Sequence, residues 1–259
     1  MRYSLQVLYV GKNYAGSQIQ FENGKEIQTP TIQGELEKAL RTLICTKLEK
    51  ADKNNKRPIK TVFSGRTDKG VNAYGQVVHF DTDKTFVASK FIYALNEVLP
   101  NDISVSDLKE ENQSFHAQKS AKSRHYRYEF INRKYHSAFD GELLRVRYDL
   151  DLKRMQKSLE YLLGEHDFSS FKSSGTQNPS KVCTLTKVAV RKDNDRVIID
   201  IIGNRFLYNM VRTIVGTLLE IEGHNLPEEH MKNVLEAKDR RKAGQTVTPY
   251  GLTLVKVEY

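Results

Sequence analysis

Apolar and polar residues alternate from the start of the chain, in RYSLQVLYV, and a period of two predicts a strand near Tyr3–Val10. The period then changes. In TIQGELEKALRTLI, Ile32, Leu36, Ala39, Leu40, Leu43 and Ile44 recur at helical spacing behind Thr31, which suits an N-cap. A polar loop, EKADKNNKRP, leads to two apolar strands flanking the turn GRTDKG. The helix SKFIYALNEVL is stopped by Pro100, and DISVSDL reads as the next strand. KEENQS is polar enough for a junction between domains.

RHYRYEFI opens the second half as a strand, followed by a helix over Leu152–Leu163 and strands over Val182–Val190 and Val197–Ile202. Met210, Val211, Ile214, Val215, Leu218 and Leu219 then form one helical stripe. A short helix at Glu228–Ala237 and a strand, LTLVKVEY, follow. Strands in series with helices to one side predict an α+β fold of two domains, 1–110 and 111–259. Each has a largely antiparallel sheet covered by helices.

Composition adds charge to this picture. The 259 residues include 41 Lys plus Arg against 32 Asp plus Glu, giving +9. That excess attracts polyanions, nucleic acid foremost, although a basic soluble protein would show it too. No apolar run is long enough for a transmembrane helix, and the first residues lack a signal peptide's apolar core. The two cysteines, Cys45 and Cys183, offer neither a disulfide framework nor a paired zinc spacing. That suits a reducing, cytoplasmic location.

Three stretches could carry chemistry. In FSGRTDKGVNAYGQVVHF, Asp68 and Gly70 suffice for a turn, but Arg66 adds something a turn does not need. A guanidinium beside a carboxylate favours the ionised acid and offers a fork for phosphate. The pair can supply a nucleophile or a base. In KSAKSRHYRYEFINRK, six Lys or Arg, among them Lys122, Arg124 and Arg127, accompany one acid, Glu129. Tyr126, Tyr128 and Phe130 share a strand face there, either as stacking surfaces for RNA bases or as core rings.

In GNRFLYNMVRTIVG, Arg205 precedes plain packing residues, and Arg212 sits at the margin of the apolar stripe. A charge there is either partnered by an anion or lies on the surface with its stem over apolar atoms. GEHDFSSF pairs His166 with Asp167 but has no second ligand pair to support a metal. His79 and His116 are lone histidines that read as structural. Lys238, Arg240, Arg241 and Lys242 fit a solvated helix end or an RNA backbone contact equally well.

Taken together these motifs resemble the tRNA pseudouridine synthase A family. GRTDKGVNAYGQVVHF is similar to its catalytic motif. YVGKNYAGSQIQ, TIQGELEKAL, LNEVLPNDISV, FHAQKSAKSRHYRY, GEHDFSSF, NRFLYNMVRTIVG and TPYGLTLVKVEY follow in the family's order over nearly the whole chain. The resemblance implies an isomerase that turns uridine into pseudouridine in the anticodon stem-loop of tRNA, without a cofactor. It implies homodimers of two-domain subunits with a basic active-site cleft between the domains.

On the matching positions, it implies Asp68 as the catalytic nucleophile and Arg66 as a helper in displacing the target nucleotide. Tyr126 would stack on the base, and Arg212 would pair with the aspartate. Beside those matches, Lys69, Lys122, Arg124, Arg127, Tyr128 and Arg205 are the candidate RNA contacts. Lys69 and Asn72 stand where many members have Ala and His, Ser17 where an aromatic is common, and Gln118 where Arg is usual. The competing expectation is an RNA-binding protein with the same basic surface and no turnover, for which Asp68 would not be required.

Overall fold

The alternating start forms β1 (Arg2–Tyr9). The computed structural model of the chain describes residues 1–22, 24–45, 59–173 and 180–259, so the predicted EKADKNNKRP loop lies outside the described residues. The chain divides into two units, one of residues 1–122 and 254–259, the other of residues 123–253.

In unit 1, β1 is followed by a small hairpin of β2 (Phe21–Glu22) and β3 (Lys25–Glu26), then α1 (Ile32–Ile44). Thr31 caps α1 as its sequence predicts: the Gly34 amide donates to Thr31 Oγ1 at 3.1 Å. β4 (Thr61–Phe63), β5 (Asn72–Asp81), α2 (Ala88–Val98) and β6 (Ile103–Glu111) complete the run. The sheet order is β6-β1-β5, with β4 beside β5, and every pairing is antiparallel. Leu5, Val7, Val78 and Phe80 of the sheet are fully buried, as are Leu36 and Leu40 of α1 and Leu95 of α2. Each such side chain contributes about 1.5–3 kcal/mol on burial.

The helical stripe of α1 differs from expectation at two positions. Leu43 is exposed, and Glu37 is buried instead. Glu37 Oε1 accepts from the Thr61 amide at 2.8 Å, from Thr61 Oγ1 at 3.0 Å and from Gln33 Nε2 at 2.9 Å. A carboxylate with three donors tolerates burial.

Unit 2 opens with β7 (Ser123–Asn132) and a two-residue β8 (Arg145–Val146) parallel to it. α3 (Leu152–Glu160), β9 (Gly164–Asp167), β10 (Val182–Asp193) and β11 (Arg196–Gly203) follow. α4 (Met210–Gly223), α5 (His230–Ala237) and β12 (Leu252–Glu258) come last. The order β7-β11-β10-β9 is antiparallel throughout. All six stripe residues of α4 are buried, so the predicted face is the face that packs. β12 starts in unit 2, but its residues from Leu254 onward belong to unit 1.

The division falls between Lys122 and Ser123, where the sequence reading placed it at 110/111. KEENQS is polar for another reason: its first three residues end β6, an edge strand whose outward positions meet water. Among the described residues no helix is long and apolar enough to cross a membrane.

Candidate active site

Asp68 lies in the turn between β4 and β5, half-buried, with Arg66 and Lys69 exposed on either side and Thr67 buried. The turn is fixed from beneath. Tyr9 at the end of β1 places its hydroxyl 2.8 Å from Thr67 Oγ1. Gln76 Nε2 donates to the Gly65 carbonyl at 3.0 Å, and Gln76 Oε1 accepts from Ser64 Oγ at 2.6 Å. Burial pushes the Tyr9 phenol up to about 12, against the opposing pull of its hydrogen bonds to Thr67 and Gln76. Tyr9 is therefore a neutral hydrogen-bonding group at physiological pH.

A second loop, residues 11–18, holds the turn from the side. Ser17 and Thr67 bond reciprocally: the Thr67 amide donates to Ser17 Oγ at 2.8 Å and the Ser17 amide to the Thr67 carbonyl at 3.0 Å. Gly16 forms an antiparallel bridge with Asp68. Gly16 has φ +133, and a Cβ there would lie 2.9 Å from the Thr67 carbonyl oxygen, so a side chain is excluded on both counts. At Gly11 a Cβ would fall 2.1 Å from the Val71 carbonyl oxygen, while its amide donates to Asn72 Oδ1 at 2.9 Å. Gln18 Oε1 accepts from Arg66 Nε.

The same loop is anchored on its far side by the start of α1. The Ile32 amide donates to the Gly16 carbonyl at 3.2 Å and the Gln33 amide to the Ser17 carbonyl at 2.9 Å. The Ile19 amide donates to Gln33 Oε1 at 3.1 Å. Asp68 thus rides on a rigid double loop, which is what a group that must meet a reacting atom at one geometry needs.

In unit 2, Tyr126 is 8% exposed and meets Phe206 edge-on, with ring centroids 5.0 Å apart. Arg212, half-buried in the first turn of α4, donates from Nε to the Val247 carbonyl at 2.8 Å and from Nη1 to Asn209 Oδ1 at 2.7 Å. Asn209 takes left-handed backbone, φ 61, a conformation asparagine accepts more readily than most residues.

Tyr128 corrects an expectation. Its ring is fully buried and its hydroxyl donates to the Thr248 carbonyl at 2.9 Å, so it packs and is withdrawn from the RNA contacts. Burial raises its phenol well above the usual range. Phe130 is likewise core.

Arg127 points to the opposite face of β7, where its Nε donates to Asp200 Oδ1 at 2.8 Å. His125 Nε2 lies 2.7 Å from the same oxygen, and Arg191 also reaches Asp200. Burial alone would raise the Asp200 carboxyl, but hydrogen bonds from Arg127, Arg191 and His125 bring it down to about 2. Arg124 donates to the Asn204 carbonyl at 2.7 Å, Arg205 is half-buried near Cys183, and Lys122 is exposed. His166 Nε2 lies 2.7 Å from the Leu163 carbonyl and Asp167 caps the turn at Ser169, both local structural roles. Among the described residues no group of three His, Cys, Asp or Glu could hold a metal ion.

A family model described as tRNA pseudouridine synthase matches residues 159–259. The tRNA pseudouridine synthase A of Caldicellulosiruptor saccharolyticus is 41% identical over 256 residues, 98% of this chain and 98% of that protein. Its counterpart from Halalkalibacterium halodurans is 41% identical over 252 residues, 97% of this chain and 90% of that one. The one from Ehrlichia canis is 39% identical over 261 residues, covering both chains fully.

The chain belongs to the tRNA pseudouridine synthase A family.

Within this tRNA pseudouridine synthase A member, the structure brings Arg66, Asp68 and Lys69 onto one turn of unit 1 and sets Tyr126 and Arg212 in unit 2. Sequence reasoning missed the supports of that turn: Tyr9, Ser17, Gln18 and Gln76. All four lie within the quoted motifs, but nothing local marked their role, since each bonds a partner about 50 or more residues away.

Proposed function

We infer that the chain does what the name of its family states and isomerises uridine to pseudouridine in tRNA. The observation that carries this is its full-length kinship with the named synthases. Supporting it is an intact Gly65–Gly70 turn with its carboxylate held on a double loop.

We propose Asp68 as the nucleophile. In the reaction the C1′–N1 bond breaks, the uracil turns, and C1′ joins C5; C5 then loses a proton and N1 gains one, so the product is an isomer. One carboxylate can drive this by attacking C1′, by adding to uracil C6 or by removing a C2′ proton. Arg66 helps displace the nucleotide from its stack, at a cost of a few kcal/mol that contacts to the flipped base offset. Tyr126 stacks on that base, and Arg212 is a further catalytic group. Lys69, Lys122, Arg124 and Arg205 contact the RNA backbone, with Arg127 acting only if it leaves Asp200. The substrate is the anticodon arm of tRNA, the enzyme a cytoplasmic homodimer.

The test is to incubate wild type and Asp68→Asn with unmodified tRNA and map pseudouridine by nucleotide. Conversion in the anticodon arm by wild type alone, with tRNA affinity of the variant within a few-fold, is the expected result. Tight binding without conversion by either protein would reduce the chain to an RNA-binding protein.

A further inference from the structure

We propose that Gln18 is the positioning residue for Arg66, holding its guanidinium in place on the turn that carries Asp68 without reducing its charge; this rests on the function proposed above. Arg66 is exposed, and an exposed arginine ordinarily samples many rotamers. Here its Nε–H is held by Gln18 Oε1. That bond uses one edge of the guanidinium and leaves the two terminal nitrogens to face an anionic group such as an RNA phosphate.

Gln18 can serve as a fixed reference because its own backbone is held on both sides. Ser17 before it bonds to Thr67 and receives the Gln33 amide; Ile19 after it donates to Gln33 Oε1. The loop therefore does not depend on the Gln18 side chain for its shape. The choice of an amide also has a chemical reading. A carboxylate at this position would hold Nε equally well but would offset the positive charge, whereas a neutral carbonyl oxygen orients the cation and leaves its charge for RNA.

Orientation and charge are thus separable by substitution. Gln18→Leu removes the acceptor and should lower kcat on the order of ten- to hundredfold, with KM for tRNA within a few-fold of wild type. Gln18→Glu keeps the acceptor and adds a negative charge, so kcat should stay within a few-fold while KM rises. In single-turnover assays on an Arg66→Ala background, Gln18→Leu should cost nothing further. A Gln18→Leu loss that persists undiminished on that background would make Gln18 a structural support of the loop and overturn the proposal. So would a Gln18→Leu variant as active as wild type. The contrast between Leu and Glu decides the matter even if Arg66→Ala is too slow to measure.

A readout independent of turnover separates this proposal from the proposed function. In the nitrogen-15-labelled full chain, the Arg66 Nε–H resonance, assigned by its loss in Arg66→Lys, should exchange slowly with water in wild type and Gln18→Glu. It should exchange fast in Gln18→Leu. Fast exchange in wild type sinks the Gln18 assignment; slow exchange in a protein that forms no pseudouridine sinks only the reaction.

Discussion

The hydroxyl of Tyr9 lies 2.8 Å from that of Thr67, the residue before Asp68, and both are buried. The end of β1 is in this way joined to the turn that carries the carboxylate. Tyr9→Phe removes one oxygen and leaves Thr67 Oγ1 and Gln76 Nε2 each short of a partner. The expected cost is about 1–3 kcal/mol of stability, read as a lower urea midpoint at unchanged slope. Because the lost bond anchors Thr67, pseudouridine formation should slow while tRNA affinity stays near wild type. Equal losses in rate and affinity would show that Tyr9 supports unit 1 generally and not the turn.

Tyr128 gives the opposite test. Its buried hydroxyl meets the Thr248 carbonyl, so Tyr128→Phe should destabilise by about 1 kcal/mol and leave tRNA binding untouched. A gel-shift titration checks it: a several-fold loss of affinity at wild-type stability would return Tyr128 to the RNA contacts.

His79 makes stability depend on pH in a defined window. Burial first, then the electrostatic influence of Arg2 and of the neighbouring His116, lower its pKa from 6.5 to about 4, with Asp81 opposing weakly. Its Nδ1 accepts from the Ala117 amide at 3.1 Å, which requires the neutral ring. Since the folded pKa lies below the unfolded one, the unfolded chain takes the proton first as pH falls. The contribution is complete above about pH 6.5, declines from there to about pH 4, and is gone below. At about 1.4 kcal/mol per unit it amounts to a few kcal/mol. Urea melts across that range should show the decline in wild type and a flatter profile in His79→Gln, which retains an acceptor. Parallel profiles would assign the pH dependence to other groups.

Period and punctuation made most elements legible. Thr31, Pro100 and the stripe of α4 marked their helices because capping, proline and amphipathicity are local effects. What stayed hidden depended on distant partners. Glu37 reads as a surface residue until Thr61 supplies its donors. Two-residue β8 and four-residue β9 are too short for a period to register. The unit boundary was masked by the polarity of an edge strand. Asp68 could be picked out from its motif, yet the role of Ser17 could not: its hydroxyl accepts from the Thr67 amide. No spacing rule joins residues 50 positions apart.

Residues 254–259 fold with unit 1 although 131 residues of unit 2 come between them and Lys122. The Lys122 amide donates to the Glu258 carbonyl at 2.7 Å, and the Tyr259 hydroxyl donates to the Ala117 carbonyl at 2.8 Å. On a ribosome, order of synthesis and order of completion are therefore reversed. Unit 2 has its whole sequence once residue 253 has emerged, while unit 1, begun first, waits with an open sheet margin for its closing strand. Asp68 sits in the unit that finishes last, so a chain stalled short of β12 would carry the carboxylate in a domain that is not yet whole.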